Sequence, residues 1–143
     1  NARFGDPEAQ VVLPRMKTDI IEVMEACIDG TLDTVDLQFE DNAAVCVVLA
    51  SDGYPVHYDK GLEIRGLEQF EDKDGYYCFH AGTKLDENGK FITNGGRVLG
   101  VTAKGADLKE ARANAYAATE WIDFDNKYMR HDIGKAIDEV NGE

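Results

Sequence analysis

The stretch Ala43-Ala44-Val45-Cys46-Val47-Val48-Leu49-Ala50 decides the fold, because it is apolar at every position. A strand that is apolar on both faces is typical of the interior of a sheet, where both faces are covered. The run is far too short to cross a bilayer, which takes about 20 residues. We therefore expect a central buried strand, followed by a turn at Asp52-Gly53 and Pro55.

Further strand patterns follow this central run. A short strand is expected over residues 62–65, an aromatic-rich strand over 76–81 and another strand over 97–102. Asn88-Gly89 lies between two short apolar runs and predicts a hairpin whose two turn residues both adopt positive φ. These strands are close together along the chain, so we expect mainly antiparallel pairing.

Two helices are expected before the central strand. Asp6-Pro7-Glu8 has the residues of a helix start, with an acidic cap and proline at the first helical position, and Pro14 should interrupt this helix. A second helix should run to about residue 28 and stop at Gly30. Its apolar residues recur at helical spacing and predict one buried stripe, formed by Met16, Ile20, Val23, Met24 and Cys27.

One long helix is expected after the last strand. Asp107 and Glu110 have the spacing of a capping box at its start. Its inner face should pack closely against a sheet and consists of Leu108, Ala111, Ala115, Ala118 and Ile122. A shorter helix should follow over residues 132–140. The whole pattern predicts an α+β domain, a mainly antiparallel sheet flanked by helices.

Composition and charge restrict the function classes. The chain has 143 residues and a formal net charge of −13, from 28 acidic and 15 basic residues. Such a field repels nucleic-acid backbones and anionic membranes, so neither is expected as a partner. The cysteines, Cys27, Cys46 and Cys78, lack paired spacing and are expected to be small buried hydrophobic residues in a reducing, cytoplasmic environment.

Three segments could carry binding chemistry, and each also has a plain structural interpretation. Asn1-x-Arg3 could hold a phosphate or an oxyanion, or it could be a tail before a helix. Thr93-Asn94-Gly95-Gly96-Arg97 could bind an anion through its backbone and Arg97, or it could be a tight turn. His80 and Lys84, in the Phe79–Lys84 stretch, could line a pocket, although a structural histidine is the simpler interpretation. The three histidines show no metal-ligand spacing.

The motifs nevertheless resemble a known family. Asn1-Ala2-Arg3-Phe4-Gly5-Asp6-Pro7-Glu8 is similar to a signature near the end of the ATP-grasp domain of glycinamide ribonucleotide synthetase (phosphoribosylamine–glycine ligase). Similar blocks continue in order over nearly the whole chain. They include Gly53-Tyr54-Pro55, Lys60-Gly61, Phe79-His80-Ala81-Gly82-Thr83-Lys84, Thr93-Asn94-Gly95-Gly96-Arg97-Val98 and Arg130-His131-Asp132-Ile133-Gly134.

The resemblance implies an ATP-dependent carbon–nitrogen ligase of purine biosynthesis. Its glycine carboxylate attacks the γ-phosphate of ATP, and the amine of phosphoribosylamine then displaces phosphate from the acyl phosphate. By resemblance, Asn1 is a ligand of the catalytic Mg²⁺ (or Mn²⁺) and Arg3 is catalytic. The same resemblance implies a sugar-phosphate site formed by Lys60, Thr83, Asn94, Gly95, Gly96 and Arg97.

The resemblance also implies an organisation and a set of partners. Residues 1–30 correspond to the end of the ATP-grasp domain and its connecting helices, and residues 31–143 to a C-terminal α+β domain. The chain starts at Asn1 rather than at methionine, so we expect a fragment that is inactive alone, carries no bound cofactor and needs the N-terminal and ATP-grasp domains. A processed mature protein is the alternative. Two other functions stay open: a small-anion binding module without chemistry, and a structural or interaction domain.

Overall fold

The computed structural model describes residues 3–136. Three α-helices occur in this part of the chain: α1 (Ala9–Val12), α2 (Ile20–Asp29) and α3 (Leu108–Thr119). Its strands are β1 (Ala43–Ser51), β2 (Tyr76–His80), β3 (Thr83–Leu85), β4 (Phe91–Thr93), β5 (Arg97–Gly105) and β6 (Lys127–Tyr128). Short 3₁₀ turns lie at Leu13–Arg15, Leu32–Thr34 and Leu67–Phe70. None of the helices in this described part is long and apolar enough to cross a membrane.

The central sheet has the order β2-β5-β1-β6, and all its neighbours are antiparallel. The longest pairing joins β1 to β5, with Val47 opposite Val101. Strands β3 and β4 form a separate two-stranded hairpin. The expectation of an α+β fold with a mainly antiparallel sheet is confirmed, and the apolar run 43–50 is an interior strand of that sheet.

Helix α3 covers one face of the central sheet. Its alanines Ala111, Ala115 and Ala118 are fully buried and pack in the two core clusters with strand residues such as Val47 and Leu49. Small side chains let the helix approach the sheet closely, and the contact at Gly105 illustrates the short distance. A Cβ added to Gly105 would lie 2.3 Å from the backbone nitrogen of Ala111.

The capping box of α3 forms as expected. The Asp107 side chain accepts a hydrogen bond from the Glu110 amide at 2.8 Å, and the Glu110 carboxylate accepts one from the Ala106 amide. Two expected inner-face residues differ. Leu108, the first residue of α3, is 43% exposed rather than buried. Ile122 is buried but follows the helix, which ends at Thr119.

The helices before β1 correct several expectations. Helix α1 begins at Ala9, so Asp6 and Pro7 lie in a preceding turn rather than in the helix. Helix α2 begins at Ile20, capped by Asp19, and its only buried residue is Ala26. The expected buried stripe is wrong for this part of the chain: Met24 and Cys27 are exposed, because little besides the following turn packs against α2. Met16 instead forms an isolated bridge with Phe39.

Three smaller expectations also differ in detail. Among the described residues, 62–65 form only isolated bridges, not a strand. The β3–β4 hairpin exists, but only Gly89 of its turn has positive φ (79°). Asp86 closes a longer loop by accepting hydrogen bonds from the amides of Asn88 and Lys90, and these bonds lower the pKa of Asp86. Residues 133–135 form a turn and Ala136 is helical, and the rest of the expected helix over 132–140 lies outside the described residues.

Candidate functional site

Four loops meet where β1 ends and β5 begins. Backbone hydrogen bonds join Ser51 to Gly96 (2.8 Å), Gly61 to Thr93 (2.7 Å) and Asn94 to Gly82 (2.7 Å). The Ser51 hydroxyl adds a bond to the carbonyl oxygen of Gly95 at 3.0 Å. The loop 93–97 is therefore held by the segments around residues 51, 61 and 82, and the expected site residues from Lys60 to Arg97 lie in one cluster of loops.

Glycine is required at the centre of this cluster by close contacts. A Cβ on Gly82 would lie 2.6 Å from the Cα of Gly95, so neither residue can carry a side chain without backbone movement. A Cβ on Gly96 would lie 1.9 Å from a ring carbon of Tyr54. The two glycines of the Asn-Gly-Gly sequence thus allow two loops and an aromatic ring to pack closely. A plain tight turn, the alternative interpretation, does not require these contacts.

Arg97 joins this cluster to the beginning of the chain. Its Nη1 donates to the carbonyl oxygen of Asp6 at 2.9 Å, and its Nη2 lies 3.4 Å from Asp6 Oδ2. Asp6 lies in the turn that leads into α1, three residues after Arg3. The structure therefore brings Arg97 to the opening segment that contains the expected catalytic residue.

The other expected site residues have local partners. The Lys60 ammonium lies 5.8 Å from the centroid of the Tyr58 ring. The hydroxyl of Thr83 lies 2.8 Å from His80 Nδ1, and burial lowers the pKa of His80. The Thr93 hydroxyl accepts a hydrogen bond from the Leu62 amide, which binds the loop after Lys60 to the hairpin. Thr83 and His80 therefore support each other's orientation, as the structural interpretation of His80 expected.

A cavity of about 370 Å³ opens beside Arg97. Strand β1 forms its floor, and its apolar wall includes Tyr54, Pro55 and Met129. Arg97 and Arg130 are its two cationic lining residues, and Arg130 is held by a bidentate ion pair with Asp132. Cavities of this size are in the range that binds small molecules. Each of the two guanidinium groups is paired with a carboxylate, Arg97 with Asp6 and Arg130 with Asp132, so both are oriented at the cavity by an acidic neighbour.

Arg3 lies in a shallow groove of about 350 Å³ with Phe4, Glu8 and Val12. Arg3 lies on the same opening segment as Asp6. The contact between Asp6 and Arg97 connects this segment to the loop cluster. Asn1, the expected metal ligand, lies outside the described residues. Within residues 3–136, no group of three or more His, Cys, Asp or Glu side chains could hold a metal ion.

Sequence reasoning missed three residues of this region: Asp6, Tyr54 and Arg130. All three belong to quoted motifs, but Asp6 was interpreted as a helix cap and the other two were given no role. The pairing of Asp6 with Arg97 spans 91 positions in the chain. A local pattern cannot reveal such a contact, whereas the position of Tyr54 in a Gly-Tyr-Pro turn was a signal that an aromatic ring packs nearby.

The cysteines correct one further expectation. Cys46 is buried, Cys78 is half-buried and Cys27 is exposed, so Cys27 is not the small buried residue that was expected. Burial raises the pKa of Cys46, and it raises the pKa of Cys78 to about 12. Both of these thiols are therefore held in the neutral form.

Comparison with known proteins identifies relatives over most of the chain. A family model described as phosphoribosylglycinamide synthetase, C domain, matches residues 44–136. A phosphoribosylamine–glycine ligase from Caldanaerobacter subterraneus is 50% identical over 133 residues, and one from Synechocystis is 54% identical over 135 residues. The matches cover 93% and 94% of this chain, but only 31% and 32% of those relatives.

A solved structure agrees with these matches. The crystal structure of a phosphoribosylamine–glycine ligase from Thermotoga maritima superimposes with a TM-score of 0.77 at 33% sequence identity. The match covers 92% of this chain and 32% of that one. The chain thus spans about a third of the length of the relatives that it matches.

Proposed function

Because this chain belongs to the phosphoribosylglycinamide synthetase C-domain family, we propose that it is the C-terminal part of a phosphoribosylamine–glycine ligase. Such a ligase joins glycine to 5-phosphoribosylamine while ATP is hydrolysed to ADP and phosphate, in purine biosynthesis. The chain spans about a third of its relatives, so the activity belongs to a longer polypeptide that also supplies nucleotide-binding parts. We propose a cytoplasmic location, because the three free cysteines are suited to a reducing compartment.

One observation carries the proposal at the level of the site. Arg97 contacts Asp6, and this contact connects the loop cluster of Lys60, Thr83 and residues 94–97 to the segment of Arg3. A ligase must hold a sugar phosphate and an acyl phosphate next to each other, and positioning contributes much of the catalysis of such steps. The contact between these two candidate subsites supports the ligase over a lone anion-binding loop.

In the proposed mechanism, the residues of this chain bind and orient charged groups. The Arg3 guanidinium stabilises negative charge on the acyl phosphate. Arg97 binds the sugar phosphate together with the Asn94 side chain and the backbone amides of Gly95 and Gly96. Lys60 and Thr83 complete the sugar-phosphate side of the cleft. Mg²⁺ or Mn²⁺ supplies charge neutralisation at the ATP phosphates when it is bound.

The described residues do not form a metal site by themselves. The proposed protein ligand is Asn1, whose amide oxygen is suited to a hard cation. In the longer ligase, Asn1 would hold the ion together with ligands from other parts of the enzyme, and the ion would neutralise phosphate charge.

We further propose that residues 1–30 form the end of an ATP-grasp domain with its connecting helices, and residues 31–143 the C-terminal domain. Helix α2 supports this division, because it contributes only Ala26 to the buried residues. Two of its apolar side chains, Ile21 (57% exposed) and Ile28 (84% exposed), are open to solvent in this chain. A face of this kind is suited to packing against the preceding domain.

The proposal is tested in a chimera in which this chain replaces the matching third of the Caldanaerobacter ligase. The assay follows ADP release with glycine, phosphoribosylamine, ATP and Mg²⁺. Arg3→Ala should lower turnover roughly 100-fold, since loss of one group that stabilises developing charge costs about 3 kcal/mol. Arg97→Ala should instead raise KM for phosphoribosylamine, because it removes a contact to a part of the substrate that does not react.

Arg65→Ala is the matched control. Arg65 is also exposed, and it is paired with Asp123 and Asp125, none of which lines the cavity beside Arg97. Arg65→Ala should leave both the turnover and the KM for phosphoribosylamine unchanged. Turnover of the Arg3→Ala variant at the rate of the unsubstituted chimera would exclude the catalytic role of Arg3.

A further inference from the structure

Asp6 makes three contacts through three different oxygen atoms. Its carbonyl oxygen accepts from Arg97 Nη1 at 2.9 Å, and its Oδ2 lies 3.4 Å from Arg97 Nη2. Its Oδ1 accepts from Gln10 Nε2 at 2.8 Å. Asp6 thus contacts the Arg97 guanidinium through two oxygen atoms. The hydrogen bond from Gln10, a residue of α1, orients the Asp6 carboxylate.

The opening segment also lies along β5, the strand that begins at Arg97. The Thr102 hydroxyl donates to the carbonyl oxygen of Gln10 at 3.1 Å, five positions further along the strand. Between these two contacts lies Gly100, where an added Cβ would be 3.9 Å from Gln10 Cγ and 3.1 Å from Cys46 Sγ. A Cβ at Gly100 would therefore be crowded by Cys46 of β1 and would make an ordinary contact with Gln10 of α1, so both elements lie against this face of β5.

These contacts fix the opening segment relative to the loop that precedes β5. Arg97 is the last residue of the loop 93–97, and Asp6 follows Arg3 by three positions. We propose that Asp6 is a positioning residue for the ligase reaction. Asp6 holds the Arg97 guanidinium in one orientation at the cavity. It also fixes the position of the segment of Arg3 relative to the loop 93–97. This inference rests on the proposed function and assigns Asp6 a role within it.

The role is separable from folding. The Arg97 and Asp6 side chains are 43% and 42% exposed, so solvent screens their attraction and the ion pair contributes little to stability. An arginine with one fixed orientation nevertheless binds a phosphate with less loss of conformational entropy than a mobile one. Variants of Asp6 should therefore fold normally and bind the substrate more weakly.

The kinetic test uses Asp6→Asn in the chimera. KM for phosphoribosylamine should rise about threefold, because the substitution weakens an exposed ion pair and leaves the contact of Arg97 with the Asp6 carbonyl oxygen in place. The kcat should stay within about twofold and KM for ATP should not change, because Asp6 acts on the sugar-phosphate side. Asp6→Glu, which keeps the charge, should recover part of the loss.

A double variant tests whether Asp6 acts through Arg97. Asp6→Asn combined with Arg97→Ala should have the same KM as Arg97→Ala alone, because a positioning residue has no effect without the group that it positions. Asp123→Asn removes another exposed carboxylate paired with an arginine and should leave KM unchanged. Additive effects of the two substitutions, or an unchanged KM in Asp6→Asn, would overturn the inference.

A measurement on the 143-residue chain separates this inference from the proposed function. If the unsubstituted chimera has no activity, the proposed function is contradicted, and the orientation of Arg97 is then assessed by NMR relaxation. The order parameter of the Arg97 Nε–H bond should fall on Asp6→Asn and should not fall on Asp123→Asn. An order parameter that Asp6→Asn leaves unchanged shows that Asp6 does not hold Arg97.

Discussion

At the scale of single residues, burial divides the three cysteines into two classes of reactivity. Thiolates react with alkylating reagents, and a buried thiol with a raised pKa forms little thiolate. Cys27 is exposed, whereas burial raises the pKa of Cys46 and raises that of Cys78 to about 12. Iodoacetamide at pH 8 should therefore label only Cys27 in the folded chain and all three cysteines in denaturant.

Peptide mass spectrometry after labelling identifies the modified residues. The denatured sample serves as the control, because it shows that each cysteine can be alkylated once it is accessible. Labelling of Cys46 in the folded protein at the rate of Cys27 would contradict the burial that the structure assigns to β1.

The pattern of Arg97 and its two glycines left two interpretations open, an anion-binding loop and a tight turn. The structure places this loop beside the loops of Lys60 and Thr83, and its binding role stays a prediction. Asp6 was not predictable from its neighbours, because an acid before a proline has the pattern of a helix cap. Its actual partner, Arg97, lies 91 positions away and is found only when the fold is known.

At the scale of elements, one ion pair anchors the segment before β1 to β5. Lys104 Nζ lies 2.9 Å from Glu40 Oε2, and Asn42 donates a second hydrogen bond to the same carboxylate. The hydrogen bond from Lys104, followed by that from Asn42, holds the pKa of Glu40 below its ordinary value of 4.5. The carboxylate is therefore stabilised in its charged form by the folded structure.

This anchor predicts a pH-dependent stability. The pKa of Glu40 is lower in the folded chain than in the unfolded chain, so the unfolded chain takes up the proton first as pH falls. The stabilisation is complete above pH 4.5 and is lost as pH falls through the lower folded value. The urea midpoint of Glu40→Gln should be below that of the unsubstituted chain at pH 7, and the difference should shrink below pH 4.5.

Circular dichroism at a series of pH values measures these midpoints. Asp41→Asn is the control, since it removes the neighbouring exposed carboxylate and leaves the contact with Lys104 in place. A difference between Glu40→Gln and the unsubstituted chain that persists unchanged at pH 3 would show that the charge of Glu40 is not the cause.

Elements were predictable when their own pattern matched their surroundings. The fully apolar β1 and the alanine face of α3 form the core, so both were recognised from sequence. Helix α2 has the same periodic pattern, but no residue of its predicted stripe is fully buried, and Met24 and Cys27 are exposed. Periodicity indicates that a face is suited to burial, and it cannot indicate whether the covering partner belongs to the same part of the polypeptide.

At the scale of the whole molecule, the order of the motifs identified the family before any fold was known. The sequence did not indicate how the segment before β1 packs against the rest of the chain. The buried core consists mainly of residues from β1 to Phe124. Within residues 3–42, the described part before β1, only Ala26 belongs to it. The chain spans about a third of its relatives' length, and the proposed ligase site therefore needs residues from the rest of a longer polypeptide.

The most direct test of the central claim is the turnover of the chimera compared with the same Caldanaerobacter ligase lacking its matching third. The account predicts that adding this chain restores ADP release that depends on both glycine and phosphoribosylamine, whereas the truncated ligase has none. A folded chimera with no more activity than the truncated ligase would contradict the claim that this chain supplies the C domain of that enzyme.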